Sequence, residues 1–394
     1  MRLAQELVKR AEALKPALAA RATEADNLRR LPDATVADLH AAEFFKIVQP
    51  ARWGGLELSP SVLFDVQIAL ASACGSTGWV TGVLGVHTWQ LALFPEKAQE
   101  EVWGENPNAL ISSSYAPNGK VERVDGGYRI TGRWTFSSGC DFCDWAFLGG
   151  FVPPDGPDAR PDMRTFLLPK SDYRIDDTWF VSGLKASGSK DIVVDGAFVP
   201  EHRTHKLIDG FKLDSPGNAV NRSPIYRLPF GQIHVRSVSS PAIGVAEGAL
   251  ATFRERTASR ISAADKARLG EDPSFQGVCA EGAAELDLVR LCLSRNFNEL
   301  NDRAEAAGGN VPEMPLDRRV RFRYDSAQAA DRSMKVVDRL FTQSGGQVLR
   351  TGDPLGRAFQ DVHAIRAHYA NNPELPGRNL GRTLLGGKNQ DYFV

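Results

Sequence analysis

Residues 340–373, LFTQSGGQVLRTGDPLGRAFQDVHAIRAHYANNP, decide how the rest of the chain is interpreted. One helix is predicted to end at the pair Gly345 and Gly346, and a second helix, rich in Arg, Asp and His, runs to His368. Paired glycines allow positive φ and leave backbone N–H groups open to an anionic group. His363 and His368 place two imidazoles at the far end of the second helix. The stretch therefore predicts a phosphate-binding loop at one end and a base at the other.

Composition sets limits on the possible partners. The chain has 394 residues and a formal net charge of −1, which allows one large or two to three ordinary domains. The near-neutral charge argues against nucleic acid or a membrane surface as the main partner. No apolar run approaches the ~20 residues of a spanning helix. The N-terminal segment lacks the apolar core of a signal peptide, so we expect a cytoplasmic protein.

The five cysteines do not form the pattern of a disulfide framework. Cys140 and Cys143 make a single C-x-x-C within SSGCDFCDW, which permits a redox dithiol or half of a zinc site. No second pair has metal spacing, and the chain contains no HExxH motif. We therefore predict no metal site, and we expect two half-buried thiols without an assigned role.

Hydrophobic periodicity divides the chain into three blocks. Residues 1–106 have apolar positions at helical spacing and predict an N-terminal helical domain. Residues 107–215 switch to seven short runs of β-branched and aromatic residues, which predict a small antiparallel barrel or sandwich. Residues 216–394 contain three long amphipathic segments and, with the opening stretch, predict an up-and-down helical bundle. The predicted fold class is therefore mainly α with a central β-domain.

Three segments carry more specific expectations. The run DTWFVSGL at 177–184 is predicted as a strand. Residues 205–230 are polar with scattered Pro and Gly, and we expect a long loop beside a site. The tail beyond residue 373 is expected to pack on a neighbouring chain or to remain loose.

Candidate polar groups are few, and each has an ordinary structural alternative. His87 lies on an apolar helix, where a histidine is more often a hydrogen-bonded core residue than a catalytic one. The residues alone leave strand capping and ligand binding as equal alternatives for two hydroxyl clusters at strand ends, Ser112–Ser113–Ser114 and Ser137–Ser138. The chain lacks the G-x-S-x-G elbow of serine hydrolases and the GxGxxG loop of nicotinamide-binding domains.

The order of the blocks and the local sequence resemble the acyl-CoA dehydrogenase fold. The stretches that carry the resemblance are LPDATVADLHAAEFFKIVQPARWGGLE, GLKASGSKDIVVDGAFVP, and TQSGGQ followed by GRAFQDVHAI. The resemblance implies an N-terminal helical domain, a central antiparallel β-domain and a C-terminal four-helix bundle. Two positions depart from the dehydrogenases: His368-Tyr369 stands where their catalytic Glu lies, and Tyr115-Ala116-Pro117 replaces their Thr-Glu-Pro.

These departures resemble another branch of the fold, the oxygenase components of two-component flavin monooxygenases. The matching stretches are CGSTGWVTGVLGVHTWQLALF, ISSSYAPNG, GRWTFSSGCDFCDW and DVHAIRAHYANNPE. The branch includes hydroxylases of 4-hydroxyphenylacetate and of steroid-derived phenols. The resemblance implies a homotetramer that takes reduced FMN or FAD from a separate NAD(P)H:flavin reductase. With O2 it would form a C4a-hydroperoxyflavin and hydroxylate a small aromatic substrate ortho to its phenolic OH.

The resemblance also implies roles for individual residues. His368 would be the base, and Ser138 would hydrogen-bond the flavin beside N5. His87 and Ser113 would hydrogen-bond the phenol or the peroxide, and Trp79 would wall the ring site. Further residues are expected to contact the flavin ring or its tail: Ser114, Tyr115, Ser137, Gln343, Gly345 and Gly346. The last three would bind the flavin tail, shared with a neighbouring subunit.

Three alternatives stay open on the sequence alone. The first is an acyl-CoA dehydrogenase-type flavoenzyme. The second is an S- or N-oxygenating monooxygenase on the same fold. The third is a flavin-free helical scaffold protein, against which the retained Q-x-x-G-G pattern argues. The aromatic substrate, the choice between FMN and FAD, and the reductase are not encoded in any readable motif.

Overall fold

The computed structural model describes residues 2–154, 156, 162–261, 266 and 268–394. The N-terminal part is helical, and its helices are α1 Arg2–Leu28, α2 Asp33–Ala41, α3 Pro60–Ala71, α4 Gly75–Leu91 and α5 Glu96–Trp103. All residues of α4 are buried. Close packing on α3 depends on glycine, because a Cβ at Gly82 would lie 1.8 Å from Gln67 Nε2. Helix α4 is therefore a buried support whose side chains point into the molecule on every face.

The β-part consists of two four-stranded sheets, in the orders β1-β4-β5-β8 and β2-β3-β7-β6. Its strands are β1 Ile111–Ser114, β2 Lys120–Val124, β3 Gly127–Ser137, β4 Trp145–Val152, β5 Asp162–Pro169, β6 Arg174–Asp176, β7 Lys190–Pro200 and β8 Thr204–Lys206. The strands pair antiparallel, as predicted, except that β1 runs parallel to β4. The register of β3 against β7 shifts between Trp134 and Ser137, where Phe136 has φ 66°. After this irregularity Ser137 pairs with Lys190, and the strand then leads into the turn that carries Ser138.

Two segment predictions are wrong. Residues 177–184 form no strand; they form a turn that ends at Leu184, whose φ is 50°. The N–H of Leu184 donates to Asp361 Oδ1 at 2.7 Å, so the turn is held by a helix rather than by a sheet. The expected loop at 205–230 contains β8, helix α6 (Leu207–Lys212) and two short 3-10 turns. Buried amides stabilise these turns: Asn218 Nδ2 donates to the carbonyl of Tyr226 at 2.9 Å.

The C-terminal part is a bundle of four helices followed by a fifth. These helices are α7 Phe230–Ser259, α8 Pro273–Ala306, α9 Leu316–Ser344, α10 Pro354–Ala367 and α11 Glu374–Leu384. The tail after α11 packs on its own chain, contrary to expectation, because Arg319 Nε on α9 donates to the backbone oxygen of Val394 at 3.0 Å. None of the helices among the described residues is long and apolar enough to cross a bilayer.

The predicted division at 1–106, 107–215 and 216–394 stays a prediction. Helix α5 ends at Trp103 and β1 begins at Ile111, while α7 begins at Phe230. The buried residues of the helical parts form one large hydrophobic cluster that includes α4 and α7. A separate cluster fills the space between the two sheets. Side chains from α4, β1, the turn after β3, α7 and the end of α10 meet where these parts adjoin.

Candidate active site

The first group in this region is a chain of buried polar side chains around Ser138. Trp79 on α4 donates its indole N–H to Ser138 Oγ at 2.9 Å. The Oγ atoms of Ser138 and Ser189 lie 2.7 Å apart, and those of Ser189 and Ser187 also lie 2.7 Å apart. The four side chains are buried. Because an indole N–H can only donate, Ser138 Oγ acts as an acceptor toward Trp79 and keeps its remaining capacity for a further partner.

His87, from the same helix, is a neutral imidazole with a free lone pair. Its Nδ1 lies 2.5 Å from the carbonyl oxygen of Ile111, and a carbonyl only accepts, so Nδ1 carries the hydrogen. Its Nε2 is buried and has no hydrogen-bond partner among the described residues. Burial lowers the pKa of His87 to about 4, and the hydrogen bond to Ile111 only partly opposes this. At pH 7 the group therefore presents an unprotonated acceptor.

His368 ends α10 and has the opposite tautomer. Its Nδ1 accepts from the backbone N–H of Ala370 at 3.3 Å and caps the 3-10 turn Tyr369–Asn371. The neutral ring therefore carries its hydrogen on Nε2, which is free to donate. Burial, and then the nearby Arg323 guanidinium, lower the pKa of His368 to about 4. His87 offers an acceptor and His368 offers a donor at the same pH.

The ring of His234 on α7 connects the rings of Tyr115 and His368, and no sequence motif pointed to this residue. Its ring centroid lies 5.1 Å from that of Tyr115 and 6.2 Å from that of His368. The ring of His87 is 6.2 Å from Tyr115, and that of Trp79 is 5.6 Å from His368. A continuous row of rings thus runs from His87 to Trp79. A usable signal was the i, i+4 spacing of Phe230 and His234, which places both on one helix face.

The remaining predicted ring-site residues lie in the same region, but their hydroxyl groups differ in how many hydrogen bonds they already make. The Tyr115 hydroxyl donates to Gln90 Oε1, and the nearby Ser113 hydroxyl partly offsets the rise that burial causes in the pKa of Tyr115. Ser114 Oγ donates to the carbonyl of Thr135 at 2.7 Å, so its hydroxyl hydrogen is already used within the fold. Ser137 Oγ is buried without a partner among the described residues. Among the described residues of the two serine clusters, Ser112 and Ser137 therefore keep buried hydroxyls without a hydrogen-bond partner.

The structure does not bring the predicted flavin-tail loop to the ring site. The loop precedes α10, a helix of 14 residues, and at a rise of 1.5 Å per residue this helix places about 21 Å between its first residue and His368. Gly345 has φ 73° and ψ −172°, a conformation open essentially to glycine alone. Arg260 Nη1 donates to the carbonyl of Ser344 at 3.0 Å and brings a positive charge to the loop. Gln343 Nε2 reaches Ser274 Oγ at 3.4 Å.

Two other sequence features have structural explanations. Cys140 and Cys143 are fully buried, not half-buried, and each Sγ lies near a backbone carbonyl. Burial raises the pKa of both thiols, which keeps them protonated and unreactive. His363 Nε2 lies 2.8 Å from Asp338 Oδ1, and its ring packs on Phe359. It takes no part in the row of rings.

The residues present fit a bound flavin. A flavin ring needs hydrogen-bonding groups at its polar edge, and the unpartnered hydroxyl of Ser137 lies next to Ser138 in sequence. The Nε2–H of His368 is a donor, and the anionic form of a reduced flavin favours donors. The phosphate of a flavin tail needs positive charge and open backbone, which Arg260 and Gly345 supply.

Comparisons with known proteins identify the family of this chain. Residues 237–373 match the family model described as "Acyl-CoA dehydrogenase, C-terminal domain". The oxygenase subunit HsaA of a flavin-dependent monooxygenase from Rhodococcus jostii strain RHA1 is 42% identical over 369 residues, which cover 93% of this chain and 95% of that protein.

The FADH(2)-dependent resorcinol hydroxylase oxygenase component of Rhizobium sp. strain MTP-10005 is 34% identical, over 93% of this chain and 90% of that protein. The crystal structure of 3-HSA hydroxylase from Rhodococcus sp. RHA1 matches with a TM-score of 0.93 and 41% identity, over 99% of each chain. The chain therefore belongs to the oxygenase subunits of flavin-dependent monooxygenases, which share the acyl-CoA dehydrogenase fold.

Proposed function

We propose that this protein hydroxylates a phenolic ring, with reduced flavin delivered by a separate reductase and with O2 as co-substrate. The observation that carries the proposal is the buried Nε2 of His87, which has no hydrogen-bond partner in the described part of the chain. A phenol O–H is the donor that such a lone pair lacks. The names of the resorcinol and 3-HSA hydroxylases among its relatives also support a hydroxylase reaction.

His87 would act on the substrate hydroxyl. The phenol O–H donates to Nε2 while Nδ1–H stays bound to Ile111, so the ring is fixed from both sides. A phenol has a pKa of about 10, and the pKa of His87 is about 4. Complete transfer of the phenol proton to His87 before the reaction is therefore unfavourable by roughly 8 kcal/mol. The proton moves as the new C–O bond forms and the ring hydroxyl becomes more acidic, which is general-base catalysis.

When bound, reduced flavin would supply two electrons with O2, so that one oxygen atom enters the ring and the other leaves as water. Ser138, held by Trp79 and Ser189, and the Nε2–H of His368 would orient that group. His368 is thus better suited as a donor than as the predicted base. The aromatic side chains around the site exclude water, which protects reactive species from side reactions.

The same lone pair favours a phenol over other targets. A sulfide has no acidic proton to give to Nε2, so an S-oxygenating enzyme would leave the buried acceptor of His87 unused. A dehydrogenase needs a carboxylate to remove an α-proton, and the matching position is occupied by Tyr369. These points support hydroxylation among the alternatives that the sequence left open.

A two-stage experiment tests the proposal. Anaerobic titration should give tighter binding of reduced than of oxidised FMN or FAD. Addition of 18O2 with a panel of phenols should then give catechols that carry one 18O atom, detected by mass spectrometry. Absence of labelled product with every phenol, together with reduction of bound flavin by an acyl-CoA, would overturn the proposal.

The quaternary structure and location belong to the same proposal. Leu288 and Leu291 on α8 are 57% and 59% exposed, which supports a contact between subunits. A homotetramer of 43.0 kDa chains would have four times that mass, about 172 kDa, in light scattering. The flavin tail at Gln343, Gly345 and Gly346 would be shared across that contact. A cytoplasmic location stays a prediction.

A further inference from the structure

The segment after α11 reaches the row of rings. The ring of Phe393 lies 5.8 Å from Phe230, 5.8 Å from His234 and 6.3 Å from Tyr369, measured between centroids. Of these three neighbours, Phe230 and His234 are buried, whereas Tyr369 is 55% exposed. Phe393 therefore lies where the buried rings meet the open side of the site.

Helix α7 has a glycine at the point where this segment packs against it. At Gly231 an added Cβ would lie 2.2 Å from the backbone oxygen of Phe393, so a side chain there would displace the segment. The backbone N–H of Phe393 donates to Asp391 Oδ1 at 2.8 Å, which fixes the turn before the ring. A loosely lying tail would not require a glycine beneath it.

Two buried arginines of α9 hold the segment on either side of Phe393. Arg319 donates to the backbone oxygen of Val394, which is fully buried. Arg323 Nε lies 3.8 Å from Asp391 Oδ2, and its Nη1 donates to the carbonyl of Ala370 at 2.8 Å. The same guanidinium thus joins the segment to the turn that follows His368. The position of Phe393 is coupled to the site itself.

We propose that Phe393 is a specificity-determining residue, which forms the outer wall of the substrate pocket and limits how far a phenol extends beyond its reacting ring. The inference rests on the proposed function and deepens it. The substrates that it governs are phenols with an apolar group on the side away from the hydroxyl. Because Phe230, His234 and Tyr369 are also aromatic, the pocket that Phe393 closes suits an apolar ring.

Variants that change the size of this wall in both directions test the inference. The probes are resorcinol and 4-cyclohexylphenol, and the readout is the ratio of their kcat/KM values. Phe393→Ala should raise the ratio in favour of 4-cyclohexylphenol about tenfold, and Phe393→Trp should lower it, since one pocket contact discriminates about 10-fold or more. Tyr392→Ala is the matched control, because Tyr392 packs on Phe211 and lies outside the row of rings.

The outcomes separate the two proposals. The proposed role of Phe393 is contradicted if the ratio stays within about twofold of wild type in both Phe393 variants. It is also contradicted if the ratio moves in the same direction in both variants. Equal shifts in Tyr392→Ala also overturn it, because they indicate a general effect of the segment. Failure of the wild-type protein to hydroxylate either phenol counts against the proposed function instead. Circular dichroism and thermal unfolding of each variant establish that it is folded.

Discussion

Replacing His87 with asparagine removes one ring nitrogen and keeps the other. In His87→Asn the amide Nδ2 lies the same number of bonds from Cα as Nδ1, so the variant can still donate to the carbonyl of Ile111. Nothing then occupies the position of Nε2. The variant therefore separates the predicted catalytic function of the imidazole from its structural hydrogen bond.

The expected loss is that of a general base, about 10²- to 10⁴-fold in the rate of hydroxylation at pH 7. This corresponds to roughly 3–5 kcal/mol of transition-state stabilisation. The ring contacts of His87 with Tyr115 and Phe147 are also lost. Their loss should lower the free energy of unfolding by about 1–2 kcal/mol.

The pH profile gives the sharper result. Because the pKa of His87 is about 4, the wild-type base is already unprotonated at pH 6, and its rate should be flat from pH 6 to 9. In the variant the phenol must ionise in solution, with a pKa of about 10. The rate should then rise about tenfold per pH unit over the same range.

The assay is a single turnover. Protein loaded anaerobically with reduced flavin is mixed with O2 and phenol at each pH, and the catechol is quantified by mass spectrometry. His363→Asn is the matched control, because His363 pairs with Asp338 away from the row of rings. A flat profile for His87→Asn within about threefold of wild type would refute the reasoning. A rising profile in His368→Asn instead would assign the base to His368.

The remaining predictions concern donors and one buried carboxyl. His368→Ala should weaken the binding of reduced flavin about tenfold, since a charge-assisted hydrogen bond is lost; His368→Gln should restore part of it, and equal affinity in all three proteins would exclude a donor role. Trp79→Phe removes the N–H that Ser138 accepts, so the hydrogen peroxide released per reduced flavin should rise about two- to tenfold. Unchanged peroxide release would separate Trp79 from the orientation of Ser138. Burial raises the pKa of Asp361 from 3.8 to about 7, so the folded state binds more protons than the unfolded state between these values. The stability of wild type should fall as pH rises from about 4 to 7, by at most about 1.4 kcal/mol per pH unit. Asp361→Asn can still accept from Leu184 and should remove this slope; parallel unfolding curves against pH would contradict the assignment.

Much of the fold could be predicted because its signals are local. The long helices of the bundle carry apolar positions at helical spacing, and Pro273 and Pro354 begin α8 and α10 after capping aspartates. The resemblance supplied the order of the parts. The strand predicted at 177–184 was wrong because its apolar residues serve a turn that Asp361 holds from a distant helix. The hydrophobic pattern of residues 177–184 carries no information about that hydrogen bond.

The site was less predictable for the same reason. His87 and His368 could be named from motifs, but their tautomers depend on the carbonyl of Ile111 and the N–H of Ala370. Only the folded chain places these groups. His234 and Phe393 join the row of rings through contacts between α7 and the last residues of the chain. No spacing within either segment predicts the other.

A single imidazole cannot accept the proton of a phenol and donate a hydrogen bond to a second group through the same nitrogen. The proposed function divides these two roles between His87, with a free lone pair, and His368, with a free N–H. Both pKa values are about 4, so neither ring changes its charge between pH 6 and 9. In the opposite tautomer of His87, the lone pair of Nδ1 would face the carbonyl oxygen of Ile111. In the opposite tautomer of His368, the Nδ1–H would face the N–H of Ala370. Each of these mismatches costs about 1–3 kcal/mol. The backbone of β1 and of the turn after α10 therefore fixes a free acceptor on His87 and a free donor on His368, which the proposed function assigns to the phenol and to the flavin.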